Sequence, residues 1–192
     1  MRWMLVVLAL AGYAGSAGAG EWQVDRQARD NQVRFVSTVA GFSFAGKTDR
    51  IDGYAWWPGA ELFAGESRLL FEMELDGLDT GIGKRDRDMR KVLATDRWPK
   101  AVFKGQILRH ELVDSTVTAY RVTVKGRFSL HGVERELEVP GTVVVEPGRS
   151  RIAAAFQIRL ADYGIEAPSL AAFVKVNQEI DVTVSFAMKH VQ

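Results

Sequence analysis

The sequence predicts an all-β chain of about eight antiparallel strands with one inserted helix, either closed into a barrel or folded as a sandwich. Three observations point there. Period-two alternation of apolar and polar residues dominates the chain. Turn-forming pairs such as His131-Gly132, Pro140-Gly141 and Pro147-Gly148, together with Val113-Asp114-Ser115, punctuate the alternating runs. One segment, GKRDRDMRKVLA at residues 83–94, breaks the alternation and is too charged for a strand.

The N-terminus reads as an address. Arg2 precedes an apolar run from Trp3 to Tyr13, and Ala17-Gly18-Ala19 matches the small-x-small pattern of a signal-peptide cleavage site. The run falls short of the roughly 20 apolar residues needed to cross a bilayer. The expectation is a leader over 1–19, cleaved near Ala19, and a periplasmic domain over 20–192. No later segment is apolar for long enough to span a membrane.

Strands then follow in order. Val33 and Phe35 open one, and Ile51 to Trp57 forms an aromatic-rich second, with Trp56 and Trp57 on opposite faces. Arg68 to Leu75 and Ala101 to Arg109 are weaker alternating runs on either side of the helix. Within the helix, Met89, Val92 and Leu93 make a narrow apolar stripe fit to dock on the sheet. Asp79 or Thr80 is placed to cap its start, and Asp96 to Pro99 to end it. The clearest strands are Tyr120 to His131 and Glu179 to Met188, with a further weaker run at Arg151 to Leu160. Connections at 130–133 and 146–149 are short enough for antiparallel hairpins.

Composition excludes several function classes. The chain has no cysteine, so disulfides, thiolate metal sites and a cysteine nucleophile are absent. Its three histidines, at 110, 131 and 190, lack metal-ligand spacing, and no carboxylate pair stands out as catalytic. The 25 basic residues against 24 acidic ones remove the electrostatic case for nucleic acid. The expected chemistry is therefore non-enzymatic, with no metal and no cofactor.

Closure into a barrel removes exposed strand edges. A water-soluble barrel buries its apolar faces inward, and the dense charge on the polar faces favours that arrangement over an outer-membrane barrel. The inward set is then Phe35, Phe71, Met73, Phe103, Val122, Val124, Phe128, Phe156, Ile158, Val182, Val184 and Phe186. Such an interior either packs solid or encloses one small ligand. If hollow, its wall carries no ionic side chain, and a hydrocarbon chain is the expected guest. If solid, the barrel is an interaction module for a membrane or respiratory partner.

Four stretches in order carry a resemblance: LDTGIGKRDRDMR at 78–90, WPKAVF at 98–103, GRFSLHGV at 126–133, and FQIR with YGI at 156–159 and 163–165. Together they resemble the YceI-like family of periplasmic polyisoprenoid-binding proteins. The resemblance implies an eight-stranded antiparallel, lipocalin-like β-barrel holding an isoprenoid or other long-chain lipid, such as a quinone tail, without catalysis. In that motif set Thr80, Gly81, Arg85, Asp86, Pro99, Gly126 and Gly132 read as structural, Arg85-Asp86 being a cap or salt bridge that fixes the helix. The chain departs from the family at Val92-Leu93-Ala94, where many members carry two aromatics, and near Asn31 to Phe35. A transient membrane contact and a homodimer are left open.

Overall fold

A computed structural model describes residues 20–39, 41–59, 62–63, 65–167, 169–171 and 174–191. The expected leader, 1–19, lies outside the described residues. The strands are β1 (Gly20–Val24), β2 (Gln32–Val39), β3 (Phe42–Thr48), β4 (Ile51–Trp57), β5 (Arg68–Glu74), β6 (Lys100–Asp114), β7 (Ala119–Leu130), β8 (Val133–Glu146), β9 (Arg149–Arg159), β10 (Ser169–Ala171), β11 (Val174–Lys175) and β12 (Glu179–Val191). One helix, α1 (Gly83–Val92), stands between β5 and β6.

Eight strands close a ring in the order β1, β4, β5, β6, β7, β8, β9, β12, with β12 pairing back to β1. Every pairing in it is antiparallel. β2 and β3 form a hairpin attached to the same ring. β12 pairs β9 from Glu179 to Lys189, and its other edge takes β2 at 181–185 and β1 at 188–191. β1 and β2 thus share one place in the barrel, interrupted by residues 25–31. Asn31 repairs the interruption: its buried side chain accepts from the Ala187 N–H (2.9 Å) and donates to the Asp25 carbonyl (2.8 Å). Without it the Ala187 N–H would be an unsatisfied buried donor. Ser67 does the same for the Ile107 N–H, at 2.7 Å.

The wall is unpaired between the later part of β9 and the earlier part of β8. Their ladder runs only from Gly141↔Ala154 to Glu146↔Arg149. The 3-10 turn Leu160–Tyr163 packs against β8 and fills this wedge with buried Leu160, Tyr163 and Ile165. Tyr163 meets Phe128 edge-on, at 5.8 Å between ring centroids.

Several expectations need correction. Pro140-Gly141 is not a turn but lies inside β8, one step from where the β9 ladder begins, a position that tolerates a missing N–H. β1, β3, β10 and β11 lie outside the expected strands: β1, β10 and β11 are too short for alternation to show, and in β3 it is confined to Phe42-Ser43-Phe44. The helix ends at Val92 rather than Ala94, six residues and more before Pro99. It stops through a Schellman arrangement in which Ala94, at φ +47°, donates to the Lys91 carbonyl and Thr95 to the Arg90 carbonyl. Neither Asp79 nor Thr80 caps its start; Ile82 occupies that position with no side-chain bond. Both are engaged elsewhere, Asp79 Oδ1 accepting from the Gly81 N–H and Thr80 bonding to Asp86.

Charged side chains face outward along the strands. Lys125–Glu138, Arg127–Glu134 and Arg121–Glu111 pair across neighbouring strands on that surface. The apolar faces turn inward, as in the water-soluble arrangement rather than the outer-membrane one.

Candidate functional site

The barrel interior is hollow. A cavity of about 650 Å³ runs between two buried apolar clusters, one at each end. Trp22, Trp57, Phe63, Leu69 and Met188 close one end, with Trp22 stacked on Trp57. Leu75, Leu78, Leu130, Leu160, Tyr163 and Ile165 pack at the other. Between them the inward side chains are only half-buried: on β9 Ile152, Ala154 and Phe156 keep residual exposure although they face the interior. That exposure is to the cavity. An interior packed at ordinary protein density would bury these residues completely.

Small residues create the space. Gly141 on β8 stands opposite Ala154 on β9, and both line the cavity. Gly105 and Gly126, which do not line it, face each other between β6 and β7, where the two backbones approach too closely for a Cβ. From Val122 to Leu130 the β7 wall covers eight residue steps. That is about 26 Å of strand at ~3.3 Å per residue, or about 20 Å along the axis at a tilt near 40°. The shape suits one extended chain.

Helix α1 forms one end of the cavity. Its Arg85, Asp88, Met89 and Val92 line it, as does Ile82 just before it. Ile82 is 53% exposed, which places the mouth beside the start of the helix. The helix is held there by Asp86, whose Oδ1 accepts from the Thr80 hydroxyl (2.5 Å) and the Thr80 N–H (2.9 Å). Arg85 completes the knot, donating from Nε to the Thr80 hydroxyl oxygen (2.9 Å) and from Nη2 to the Thr80 carbonyl (2.7 Å). Its guanidinium lies 4.5 Å from the centroid of the Phe44 ring. The Thr80 hydroxyl, above all, holds the Asp86 carboxyl below the usual aspartate range; burial opposes this, and the Thr80 N–H, Arg90 and Arg85 reinforce it.

All twelve inward residues expected from the sequence, Phe35, Phe71, Met73, Phe103, Val122, Val124, Phe128, Phe156, Ile158, Val182, Val184 and Phe186, line this cavity. The wall is not free of charge as expected: Glu72, Lys84, Arg85 and Asp88 also border it. Three of the four come from α1, because a helix laid across the mouth brings its flanking polar positions to the rim. Asp86 does not line the cavity and is committed to Thr80, so the Arg85-Asp86 pair anchors the helix to the preceding loop. Pro99 leads into β6, its carbonyl accepting from the Leu75 N–H at 2.8 Å. Gly132 and His131, both at positive φ, make the β7–β8 turn, where a Cβ on Gly132 would strike the Trp98 ring. His131 is half-buried, with Nδ1 3.2 Å from the Tyr163 carbonyl. Trp57 is core, and Trp56 lies half-buried under the Arg68 guanidinium. Sequence reasoning missed Ser37, Phe44 and Val176; Phe42-Ser43-Phe44 held the alternation that would have exposed β3.

The fold has known counterparts. The chain is similar to BcnA of Burkholderia cenocepacia (14% identity, TM-score 0.67, covering 85% of this chain and 98% of that one). It is equally similar to a polyisoprenoid binding domain of Saccharophagus degradans implicated in plant cell wall breakdown (18% identity, TM-score 0.67, 88% and 98%). A YceI protein of Campylobacter jejuni aligns less completely (12% identity, TM-score 0.50, 65% and 72%). No functionally curated protein matches the sequence. The family model for the YceI-like domain, however, matches residues 22–188, nearly all of the closed barrel. The chain belongs to the family of YceI-like domains.

Proposed function

We propose that this protein is a non-catalytic periplasmic carrier that holds an isoprenoid or other long-chain lipid, such as a quinone tail, inside the barrel. The observation that carries the reading is the cavity itself: about 650 Å³, walled by apolar side chains, with charge confined to its border. Burial of each methylene contributes about 0.8 kcal/mol, so a long chain binds well with little directional bonding. The polyisoprenoid binding domain of the Saccharophagus degradans protein supports the ligand class. A solid interaction module is disfavoured by the hollow interior. Transient membrane contact fits the mouth, where Ile82 is exposed and the adjoining helix carries exposed Lys84, Arg87 and Lys91 against a single exposed acid, Asp88.

Mass spectrometry of an organic extract from natively purified protein tests the reading. A long-chain lipid is expected in the wild-type extract and not in that of Val124→Arg, which sets a cation in the mid-cavity wall. Wild-type protein that yields no lipid, and that takes up no added isoprenoid, would overturn the carrier function.

A further inference from the structure

Among the described residues, one buried polar atom of the cavity wall lacks a hydrogen-bond partner. Ser37, on the inner face of β2, lines the cavity and is only 2% exposed, and its Oγ makes no hydrogen bond among the described residues. A buried hydroxyl without a partner is costly, and a strand position facing apolar neighbours would accept alanine or valine instead. Its place in the barrel is informative. Ser37 is directly opposite Phe44 in the β2–β3 ladder, so the two side chains share one face and lie side by side. Phe44 also meets Phe35 edge-on, and the Arg85 guanidinium covers its ring. Thr80 takes Nε and Nη2 of Arg85, and among the described residues Nη1 makes no hydrogen bond. Two donors thus flank a single aromatic ring, at the end of the cavity where α1 forms the mouth.

We propose that Ser37 and Arg85 form a headgroup subsite for an amphiphile whose head bears a hydrogen-bond-accepting oxygen. The head sits beside Phe44, and the chain runs inward past Val182 and Val184 toward Phe186. Arg85 is held rigidly by Thr80, so its donation is pre-organised and little entropy is lost on binding. This inference rests on the lipid-binding reading and adds polarity and orientation to it: the ligand is not a bare hydrocarbon.

Titration calorimetry with three probes of matched chain tests the assignment: geranylgeraniol, geranylgeranyl phosphate and the saturated hydrocarbon phytane. Both oxygen-bearing probes should bind wild-type protein more tightly than phytane. Ser37→Ala should weaken geranylgeraniol by roughly three- to tenfold, the loss of one hydrogen bond, with phytane unchanged. Ser37→Thr, which retains the hydroxyl, should restore the preference. A dominant Arg85 contribution would show as geranylgeranyl phosphate binding more tightly than the alcohol. A purely structural serine would leave all affinities unchanged in Ser37→Ala, and the headgroup subsite would be overturned. Equal binding of phytane and the alcohol to wild type would overturn it too, while leaving lipid binding intact. If none of the three binds, the carrier reading itself fails. The lipid-free melting temperature of Ser37→Ala, expected at or above wild type, verifies that the variant is folded.

Discussion

Asp86 is a carboxylate only 7% exposed, a situation that ordinarily costs stability unless its oxygens are hydrogen-bonded. Thr80 supplies both a hydroxyl and a backbone donor, and Arg85 closes the loop by donating back to Thr80. Asp86→Ala should destabilise the protein by about 2–3 kcal/mol, since bonds to charged groups are the strong ones. For a chain of this length that is a fall of roughly 4–12 °C in Tm. The sign of the pH effect follows from the direction of the shift. A carboxyl held below its unfolded value contributes stability above that value, and the contribution is lost as pH falls through the folded one. The gap in Tm between wild type and Thr80→Val should therefore be full at neutral pH and shrink on acidification below about pH 4. A gap that stays constant across a pH series of thermal melts would remove Thr80 as the cause. The motif was legible in the sequence; the direction of its hydrogen bonds, Asp86 reaching back rather than Asp79 or Thr80 reaching forward, was not.

The strand elements depend on positions where a side chain is excluded. Gly105 and Gly126 oppose each other, and a Cβ on Gly126 would meet the Lys104 carbonyl oxygen and the Gly105 Cα. Both partners are backbone, so neither can rotate aside. Gly126→Ala should cost about 2 kcal/mol through overpacking, seen as a lower urea midpoint with little change in slope. Unchanged stability would mean that the two strands can separate locally without loss. Alternation located β7, β9 and β12 because each keeps one face wet and one face inward over many residues. It failed for β1, whose five residues are too few for the pattern to stand out, and for β3, where the alternation at Phe42-Ser43-Phe44 lapses into Ala45-Gly46. Pro140-Gly141 carried strong turn chemistry, yet β8 passes straight through it. The neighbouring strand is absent just there, so the proline interrupts no ladder on that side.

At the scale of the molecule, the hollow comes from a deliberate shortage of side-chain volume between two well-packed ends. Gly141 and Ala154, which line the cavity side by side, contribute almost nothing to its filling. Filling it should trade binding for stability. Ala154→Phe sets a ring into the cavity, where its burial contributes about 2 kcal/mol, so the lipid-free protein should melt at a higher temperature. The same variant should lose most of its extractable lipid. Retention of a full lipid load by a folded Ala154→Phe would place the chain elsewhere than in this cavity.

What the sequence determined by itself is the all-β character, the strand faces and the single charged helix. These follow from periodicity, a local property of neighbouring residues that holds wherever the segment ends up. All twelve wall residues could be named for the same reason. Whether their faces would meet or leave room between them was a matter for the tertiary structure alone. Cavity volume depends on how far apart eight strands are held and on which small residues fall at the same height, and no single segment encodes that. The mouth was equally out of reach, since Ser37, Phe44 and Arg85 belong to three separate elements and converge only when the helix is tied across the barrel end by Thr80 and Asp86.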